Sequence, residues 1–174
     1  MPKTAKKTNA ITASKGLFPV NFELNGAQTE FQAKPNETLL DLLRRNGLRG
    51  TKKGCDSGDC GSCTILLDGK TALSCLMLGV QANGRKVTTI EGLGSPNAPH
   101  PIQTAFVQAG AVQCGFCIPG MILATKALLE KNPAPTEPEI RHALDGNLCR
   151  CTGYVKQVEA VQLAAQALKK QPKK

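Results

Sequence analysis

The sequence has few aromatic residues and no long apolar run. Its 174 residues contain no tryptophan, one tyrosine and five phenylalanines, so aliphatic side chains must build the core and something else must help to stabilise it. No stretch approaches the roughly 20 apolar residues that a membrane-spanning helix needs, so we expect no transmembrane segment. The length suits one domain or two small ones, which excludes a large multidomain enzyme.

Acidic residues are missing from both ends of the chain. Lysines near the two termini account for most of the formal net charge of +9, and the stretch between them is nearly neutral. Because nucleic-acid-binding surfaces interleave basic and aromatic residues on a folded face, we expect no nucleic-acid partner. The N-terminal stretch has neither an apolar segment nor an A-x-A site, so we expect no secretory signal and a cytoplasmic protein.

Recognised catalytic and nucleotide-binding motifs are also missing. No G-x-G-x-x-G or G-K-[ST] sequence is present to bind a dinucleotide or a phosphate. The two histidines lie among prolines (His100) and on a predicted surface helix (His142). We expect both to face solvent rather than to bind a metal. The sequence therefore predicts no catalytic residue on this chain.

The first half has the pattern of a small sheet with one helix. Residues 18–33 alternate apolar and polar around Asn25-Gly26, which is typical of a hairpin. Leucines at helical spacing follow Thr38 and stop at Asn46-Gly47, which predicts a helix. The remaining elements follow in chain order: a Gly- and Cys-rich loop at 50–63, a strand over 64–67, a turn at 68–69 and a strand over 87–90.

The second half has helical periodicity, with Thr136 and Glu139 as a capping box for its third helix. The predicted helices span 102–109, 120–131, 137–144 and 154–170. We therefore expect an α+β protein, with a sheet domain followed by a four-helix domain. The predicted divisions are a basic disordered tail at 1–16, the sheet domain at 17–92, a proline-rich connector at 93–101, the helical domain at 102–169 and a basic tail at 170–174.

The eight cysteines fall into two sets with different spacing. Each set lies inside one predicted half, which indicates two separate four-ligand sites. The first set has the spacing C-x4-C-x2-C-x11-C and consists of Cys55, Cys60, Cys63 and Cys75. The second set has the spacing C-x2-C-x31-C-x-C and consists of Cys114, Cys117, Cys149 and Cys151.

Three kinds of chemistry compete for these cysteines. Disulfides need an oxidising compartment, and the clustered spacing suits a shared centre better. Structural zinc usually takes two C-x2-4-C pairs, which the first set does not offer. That set instead has the spacing of plant-type [2Fe–2S] ferredoxins. The second set by itself is compatible with zinc or with an iron–sulfur cluster.

The loop around the first set suits an anionic centre. A [2Fe–2S] cluster with four thiolates carries a net charge of about −2 when oxidised, so its sulfurs need hydrogen-bond donors. Glycines in the loop allow successive backbone N–H groups to turn inward. Lys52 and Lys53 lie in the same loop, and we expect a solvated pair. In the second set, Cys114 and Cys117 precede a predicted helix whose dipole favours thiolate.

The sequence resembles the small iron–sulfur subunits of the molybdenum hydroxylases, the xanthine dehydrogenase family, over about residues 18–168. It looks most like the subunits of bacterial purine or nicotinate dehydrogenases. The matching stretches are Gly54-Cys55, Cys60-Gly61-Ser62-Cys63-Thr64, Val112-Gln113-Cys114-Gly115-Phe116-Cys117, Pro119-Gly120-Met121 and Gly146-Asn147-Leu148-Cys149-Arg150-Cys151-Thr152-Gly153-Tyr154. Ile118 departs from the family, which usually has threonine there.

The resemblance implies a β-grasp, ferredoxin-like domain and a four-helix domain, each binding one [2Fe–2S] cluster through its four cysteines. It implies a hetero-oligomer with a large molybdopterin-binding subunit and a medium FAD-binding subunit. The second cluster would lie next to the pterin, contacted by Gln113 and Cys151, and the first would lie toward the flavin. The chain would then be the electron-transfer subunit of a molybdenum-dependent oxidoreductase.

Two other classes of protein remain open at this point. A stand-alone two-cluster carrier or a redox sensor would use the same cysteines without a molybdopterin partner. A zinc-stabilised interaction module would use them without iron. Gln113 and the Cys149-Arg150-Cys151 segment favour a molybdopterin partner over these alternatives.

Overall fold

The structure is a computed structural model and describes residues 16–170. The predicted basic tails lie outside the described residues, apart from Gly16 and Lys170. Within the described part, none of the helices has the length and apolar character needed to cross a membrane.

A mixed five-stranded sheet forms the first half of the fold. Its strands are β1 (Phe18–Leu24), β2 (Ala27–Ala33), β3 (Thr64–Leu67), β4 (Lys70–Leu73) and β5 (Lys86–Thr88). They are arranged in the order β2-β1-β5-β3-β4, with β1 and β5 parallel and the other neighbours antiparallel. The predicted hairpin is confirmed, because Asn25 and Gly26 both adopt positive φ, as a type I′ turn requires.

One helix, α1 (Leu39–Arg45), packs against this sheet. The Thr38 hydroxyl caps it by accepting a hydrogen bond from the Asp41 N–H at 3.1 Å. The fully buried leucines of α1 are Leu39, Leu40, Leu42 and Leu43. Three of them belong to the core of the sheet, whereas Leu40 packs on two cysteines of the first set, Cys63 and Cys75. The predicted helix is confirmed, and it supports both the sheet and the cysteines.

Two strands of the sheet differ from the prediction. Strand β4 was not expected, because its exposed Lys70 and Thr71 interrupt any apolar alternation; it forms where Asp68-Gly69 turns the chain back along β3. The strand predicted over 87–90 ends earlier, at Thr88. The N–H of the next residue, Thr89, donates to the Asn25 side chain at 2.9 Å instead of to a strand.

Four helices form the second half, as predicted: α2 (Pro101–Gln108), α3 (Ile118–Lys131), α4 (Glu137–Leu144) and α5 (Val155–Lys169). Their apolar faces build a core made of different residues from that of the sheet. The main difference from the prediction is that α3 begins at Ile118 rather than at residue 120. Within the predicted connector, Ser95 and Ala98 exchange two backbone hydrogen bonds of 3.1 Å and close a turn.

The helix beginnings show one correct prediction and one error. The Glu139 carboxylate accepts the Thr136 N–H at 2.7 Å, which confirms that arm of the capping box and holds the pKa of Glu139 below its usual value. His100 was expected to face solvent, and this was wrong. It is half-buried at the start of α2, where its Nδ1 accepts the Ile102 N–H at 3.2 Å, and burial lowers its pKa. His142 is exposed as expected.

Candidate functional site

The fold brings together the four side chains of each cysteine set. We call Cys55, Cys60, Cys63 and Cys75 the first cysteine group, and Cys114, Cys117, Cys149 and Cys151 the second cysteine group. All eight are free thiols. The first group lies on the loop before β3 and on the 3-10 turn after β4. The second group lies at the beginning of α3 and between α4 and α5.

The loop of the first group presents backbone N–H groups to sulfur. The N–H groups of Ser57 and Cys60 donate to Cys55 Sγ at 3.5 and 3.4 Å. This geometry needs left-handed backbone, and Asp56 and Gly58 adopt φ of 59° and 87°. The Ser57 side chain, followed by these backbone N–H groups, lowers the pKa of Cys55 to about 6. The loop is therefore shaped to stabilise a thiolate.

The same loop is tightly packed at Gly54 and around Cys75. A Cβ added at Gly54 would lie 2.6 Å from Ser62 Oγ and 2.7 Å from Cys60 Sγ, so a side chain there would displace one of them. Cys75 is buried beside Cys63, and burial, followed by the contact with Cys63, raises the pKa of Cys75 to about 11. A metal that bound this group would have to displace the Cys75 proton.

The second group uses helix termini. Cys117 is the N-terminal cap of α3, where the helix dipole favours negative charge. Cys151 Sγ lies 3.6 Å from Cys114 Sγ, and Cys117 contacts the side chain of Cys149. Burial, followed by this contact, raises the pKa of Cys117 to about 12. The sulfurs of the second group therefore lie in two pairs, Cys114 with Cys151 and Cys117 with Cys149.

Side chains surround the sulfur of Cys149. The Thr152 hydroxyl lies 3.2 Å from it, the Cys151 N–H donates to it at 3.4 Å, and Gln157 Nε2 lies 3.6 Å away. Tyr154 fixes the backbone, since its hydroxyl accepts the Cys149 N–H at 2.8 Å. Burial opposes ionisation of Cys149, but hydrogen bonds from the Thr152 hydroxyl, from the N–H groups of Cys151 and Thr152 and from the Cys117 side chain outweigh it and lower its pKa to about 7. Of this set, sequence analysis had not singled out Gln157.

The paired sulfurs suit a two-iron cluster. A [2Fe–2S] cluster divides its four thiolates between two irons. Paired sulfurs, with N–H and O–H donors around them, match that requirement.

A joint of two residues connects the groups. The Leu148 N–H donates to the carbonyl of Cys60 at 2.9 Å. Asn147 is only 4% exposed, and its Nδ2 donates to Gly61 O at 2.9 Å and to Thr64 Oγ1 at 3.3 Å. We call these contacts of Asn147 and Leu148 the joint. It holds the ligand loops of the two groups against each other.

Two glycines make this close approach possible. A Cβ on Gly61, whose φ is +67°, would lie 1.9 Å from the carbonyl oxygen of Gly146. A Cβ on Gly120 in α3 would lie 2.6 Å from Gly61 O. Both glycines belong to the family-like stretches, and their role in the joint could not be inferred from sequence because it depends on contacts between the halves.

The remaining candidate residues occupy different environments. Gln113 is exposed next to Cys114, so the structure leaves it accessible to a partner. Lys53 is exposed, as expected of a solvated side chain, and it forms surface ion pairs with Asp41 at 3.2 Å and Asp56 at 2.9 Å. Ile118 is buried in the helical core, which accounts for an apolar residue at this position.

Two family models match the chain. A 2Fe-2S iron-sulfur cluster binding domain matches residues 22–86, which include the first cysteine group. A [2Fe-2S] binding domain matches residues 89–162, which include the second. The chain thus consists of two [2Fe–2S]-binding domains in tandem.

Similar proteins agree with this division. The nicotinate dehydrogenase small FeS subunit of Eubacterium barkeri is 49% identical over 148 residues, 84% of this chain and 94% of that subunit. The xanthine dehydrogenase iron-sulfur-binding subunit of Escherichia coli O157:H7 is 47% identical, over 75% of this chain and 84% of that one. A chain of quinoline 2-oxidoreductase from Pseudomonas putida superposes with a TM-score of 0.86 at 42% identity, covering 89% of this chain and 98% of that chain. The chain therefore belongs to the small [2Fe–2S] iron–sulfur subunits of the molybdenum hydroxylases, the xanthine dehydrogenase family.

Proposed function

We propose that this chain passes single electrons from a molybdopterin centre on a large partner subunit toward a flavin or another acceptor. Two [2Fe–2S] clusters, one in each half, carry the electrons. Membership of a family of dehydrogenase small subunits supports this function, and so do the two matched cluster-binding domains. The chain supplies cluster ligands and a route for electrons, and the substrate reacts on the large subunit.

The first cysteine group holds one cluster and the second group holds the other. Each bound cluster takes up and releases one electron at a time. The protein stabilises the negative charge on the ligand sulfurs with backbone N–H groups around Cys55 and with the Thr152 hydroxyl and the Cys151 N–H around Cys149.

The observation that carries this proposal is the hydrogen bond between Leu148 N–H and Cys60 O, at 2.9 Å. Leu148 is the residue before Cys149, a ligand of the second group. Cys60 is a ligand of the first group. One peptide unit and one hydrogen bond therefore connect the two ligand sets, and we propose this path as the route between the clusters.

The exposed side of the second group is the proposed contact with the large subunit. Cys114, Cys151 and Gln113 are exposed there, and we propose that Gln113 and Cys151 contact the pterin. Exposed apolar side chains flank them in the sequence: Val112, Phe116 and Leu148. Such a surface is typical of a protein contact. On the first group, Leu76 is 60% exposed next to Cys75, and we propose that a FAD-binding subunit covers this side.

Two further proposals concern the chain as a whole. Because all eight cysteines are free and cytoplasmic thiols stay reduced, we propose the cytoplasm as the place where the clusters are inserted and used.

Because the sheet and the helices have separate cores, we propose that 17–92 and 102–169 are two domains joined by 93–101.

Metal analysis of the native complex tests the function. The complex is purified without oxygen through a tag on this chain, and its iron, molybdenum and zinc are measured. We expect four irons and one molybdenum per chain. Iron without molybdenum would instead indicate a stand-alone carrier or sensor, and zinc without iron an interaction module. Gln113→Ala should retain the iron and weaken molybdenum recovery, whereas Gln108→Ala, an exposed glutamine on α2, should change neither.

A further inference from the structure

Gln157 on α5 is a buried amide beside the second cysteine group. Its exposed fraction is 0%. Its Nε2 lies 3.6 Å from Cys149 Sγ and also contacts the Thr152 hydroxyl. Its Oε1 is buried and, within the described structure, has no hydrogen-bond partner. Within the described structure, the Gln157 amide therefore makes hydrogen bonds through Nε2 and none through Oε1.

A half-satisfied amide in this position is costly. A buried carbonyl oxygen without a partner has lost its hydrogen bonds to water and gained none in exchange, and an apolar side chain of similar shape would avoid that cost. The residues that follow Gln157 in the helical core, Val158 and Val161, are apolar, so the helix itself does not require a polar group. Hydrogen bonds made by Nε2 must therefore offset the cost of the unpaired Oε1.

The partners at that end are the Thr152 hydroxyl and a ligand sulfur. A thiolate can only accept hydrogen bonds, so the amide must present Nε2 rather than Oε1 to Cys149. Hydrogen bonds to the ligand sulfurs of an iron–sulfur cluster are among the factors that set its reduction potential. An added electron increases the negative charge on the sulfurs, so an N–H donor stabilises the reduced state more than the oxidised state.

We propose that Gln157 is a positioning residue that acts through Cys149 and raises the reduction potential of the second cluster relative to the first. This inference rests on the proposed function, in which Cys149 is a ligand of that cluster. In the step concerned, the second cluster gains one electron from the centre on the large subunit. No covalent bond forms or breaks, and the amide protons stay on Gln157.

The first cysteine group provides an internal reference. The hydroxyls beside its sulfurs are those of Ser57, next to Cys55, and of Ser62, 3.2 Å from Cys60 Sγ, and backbone N–H groups are further donors. Within residues 16–170, no carboxamide donates to its sulfurs. A change at Gln157 should therefore affect one cluster and leave the other unchanged.

The test is a redox titration of the intact complex, with both cluster signals followed by electron paramagnetic resonance (EPR). Gln157→Met keeps an unbranched side chain and removes the donor. We expect the equilibrium for sharing one electron to shift about tenfold toward the first cluster, which corresponds to about 59 mV. The midpoint of the first cluster should not move. Gln162→Met, an exposed position on the same helix, is the matched control and should move neither midpoint.

A measurement on the unsubstituted complex covers the case in which Gln157→Met does not assemble. With ¹⁵N at the glutamine side-chain amides, the second cluster signal should show a nitrogen hyperfine coupling that the first lacks. Two cluster signals with an unmoved second midpoint, or with no such coupling, would overturn the role of Gln157 and leave the proposed function intact. The absence of a second cluster signal from the unsubstituted complex would overturn the proposed function itself.

Discussion

The two cysteine groups stabilise sulfur with different parts of the chain. In the first group, the N–H groups of Ser57 and Cys60 face Cys55, and positive φ at Asp56 and Gly58 makes this possible. In the second group, the Thr152 and Gln157 side chains share this role with the Cys151 N–H. The first environment therefore depends on one short loop, its Ser57 side chain included, whereas the second also uses a side chain of helix α5.

The difference predicts how each half tolerates substitution. The loop of the first group should be sensitive to the loss of glycine and tolerant at side chains that do not touch sulfur. The second group should be sensitive at Thr152, Tyr154 and Gln157, which contact Cys149. Both groups share the joint, so changes there should affect the two halves together.

Removal of one ligand should have the largest effect and should separate the groups. In Cys149→Ser, a neutral hydroxyl replaces a thiolate, so we expect the second cluster signal to disappear from the EPR spectrum and the first to remain. Cys60→Ser should give the reverse result. Ser62→Ala removes a hydroxyl 3.2 Å from Cys60 Sγ without removing a ligand, and should retain both signals. Loss of both signals from either cysteine variant would contradict two independent sites.

Gly61→Ala should disturb both groups at once. Left-handed backbone costs alanine about 1–2 kcal/mol, and its Cβ would lie 1.9 Å from Gly146 O, which adds an overpacking cost of roughly 1–3 kcal/mol. Gly84→Ala is the control, because Gly84 has a similar φ of +74° with nothing within 4 Å. The unfolding temperature should fall clearly further for Gly61→Ala than for Gly84→Ala. An equal fall in the two variants would mean that the joint is not tightly packed.

Asn147→Leu should weaken the joint by a smaller amount. The variant loses two hydrogen bonds, to Gly61 O and Thr64 Oγ1, worth about 1–3 kcal/mol together. We expect a lower unfolding temperature and a weaker magnetic interaction between the clusters, with both signals retained. Asn97→Leu, in the exposed connector, is the control. An unchanged magnetic interaction in Asn147→Leu would show that the joint does not set the distance between the two clusters.

The smallest expected effect concerns the scaffold of the first half. Hydrogen bonds from the Arg45 side chain and the Lys34 N–H lower the pKa of Glu37. A lowered folded-state pKa gives stability that is present above the unfolded value and is lost as pH falls through the folded value. Glu37→Gln should therefore reduce stability at neutral pH by less than about 1 kcal/mol. The difference should shrink as the pH falls below the unfolded value of about 4.3 and vanish below the folded pKa. A difference that does not shrink on acidification would contradict this ion-pair origin.

Sequence patterns predicted the parts of this molecule that depend on local spacing. The hairpin at Asn25-Gly26, helix α1 and the four later helices follow from turn residues and apolar periodicity, and the cysteine spacing indicated two sites. Features that depend on distant contacts were missed. Asn147 meets Gly61 across the two halves, and Gln157 is an ordinary helical residue until its burial against Cys149 is seen. The ion pair of Lys53 with Asp41 was also missed, because Asp41 lies on another element.

The most direct test of the account is EPR spin quantitation of the fully reduced complex. The account predicts two distinct [2Fe–2S] signals, each integrating to one spin per chain. They should broaden each other through their magnetic interaction, because the joint holds the two ligand loops together. Removal of either signal by Cys60→Ser or Cys149→Ser should narrow the one that remains. A single signal, or two signals that do not influence each other, would contradict a pair of clusters fixed side by side in one electron path.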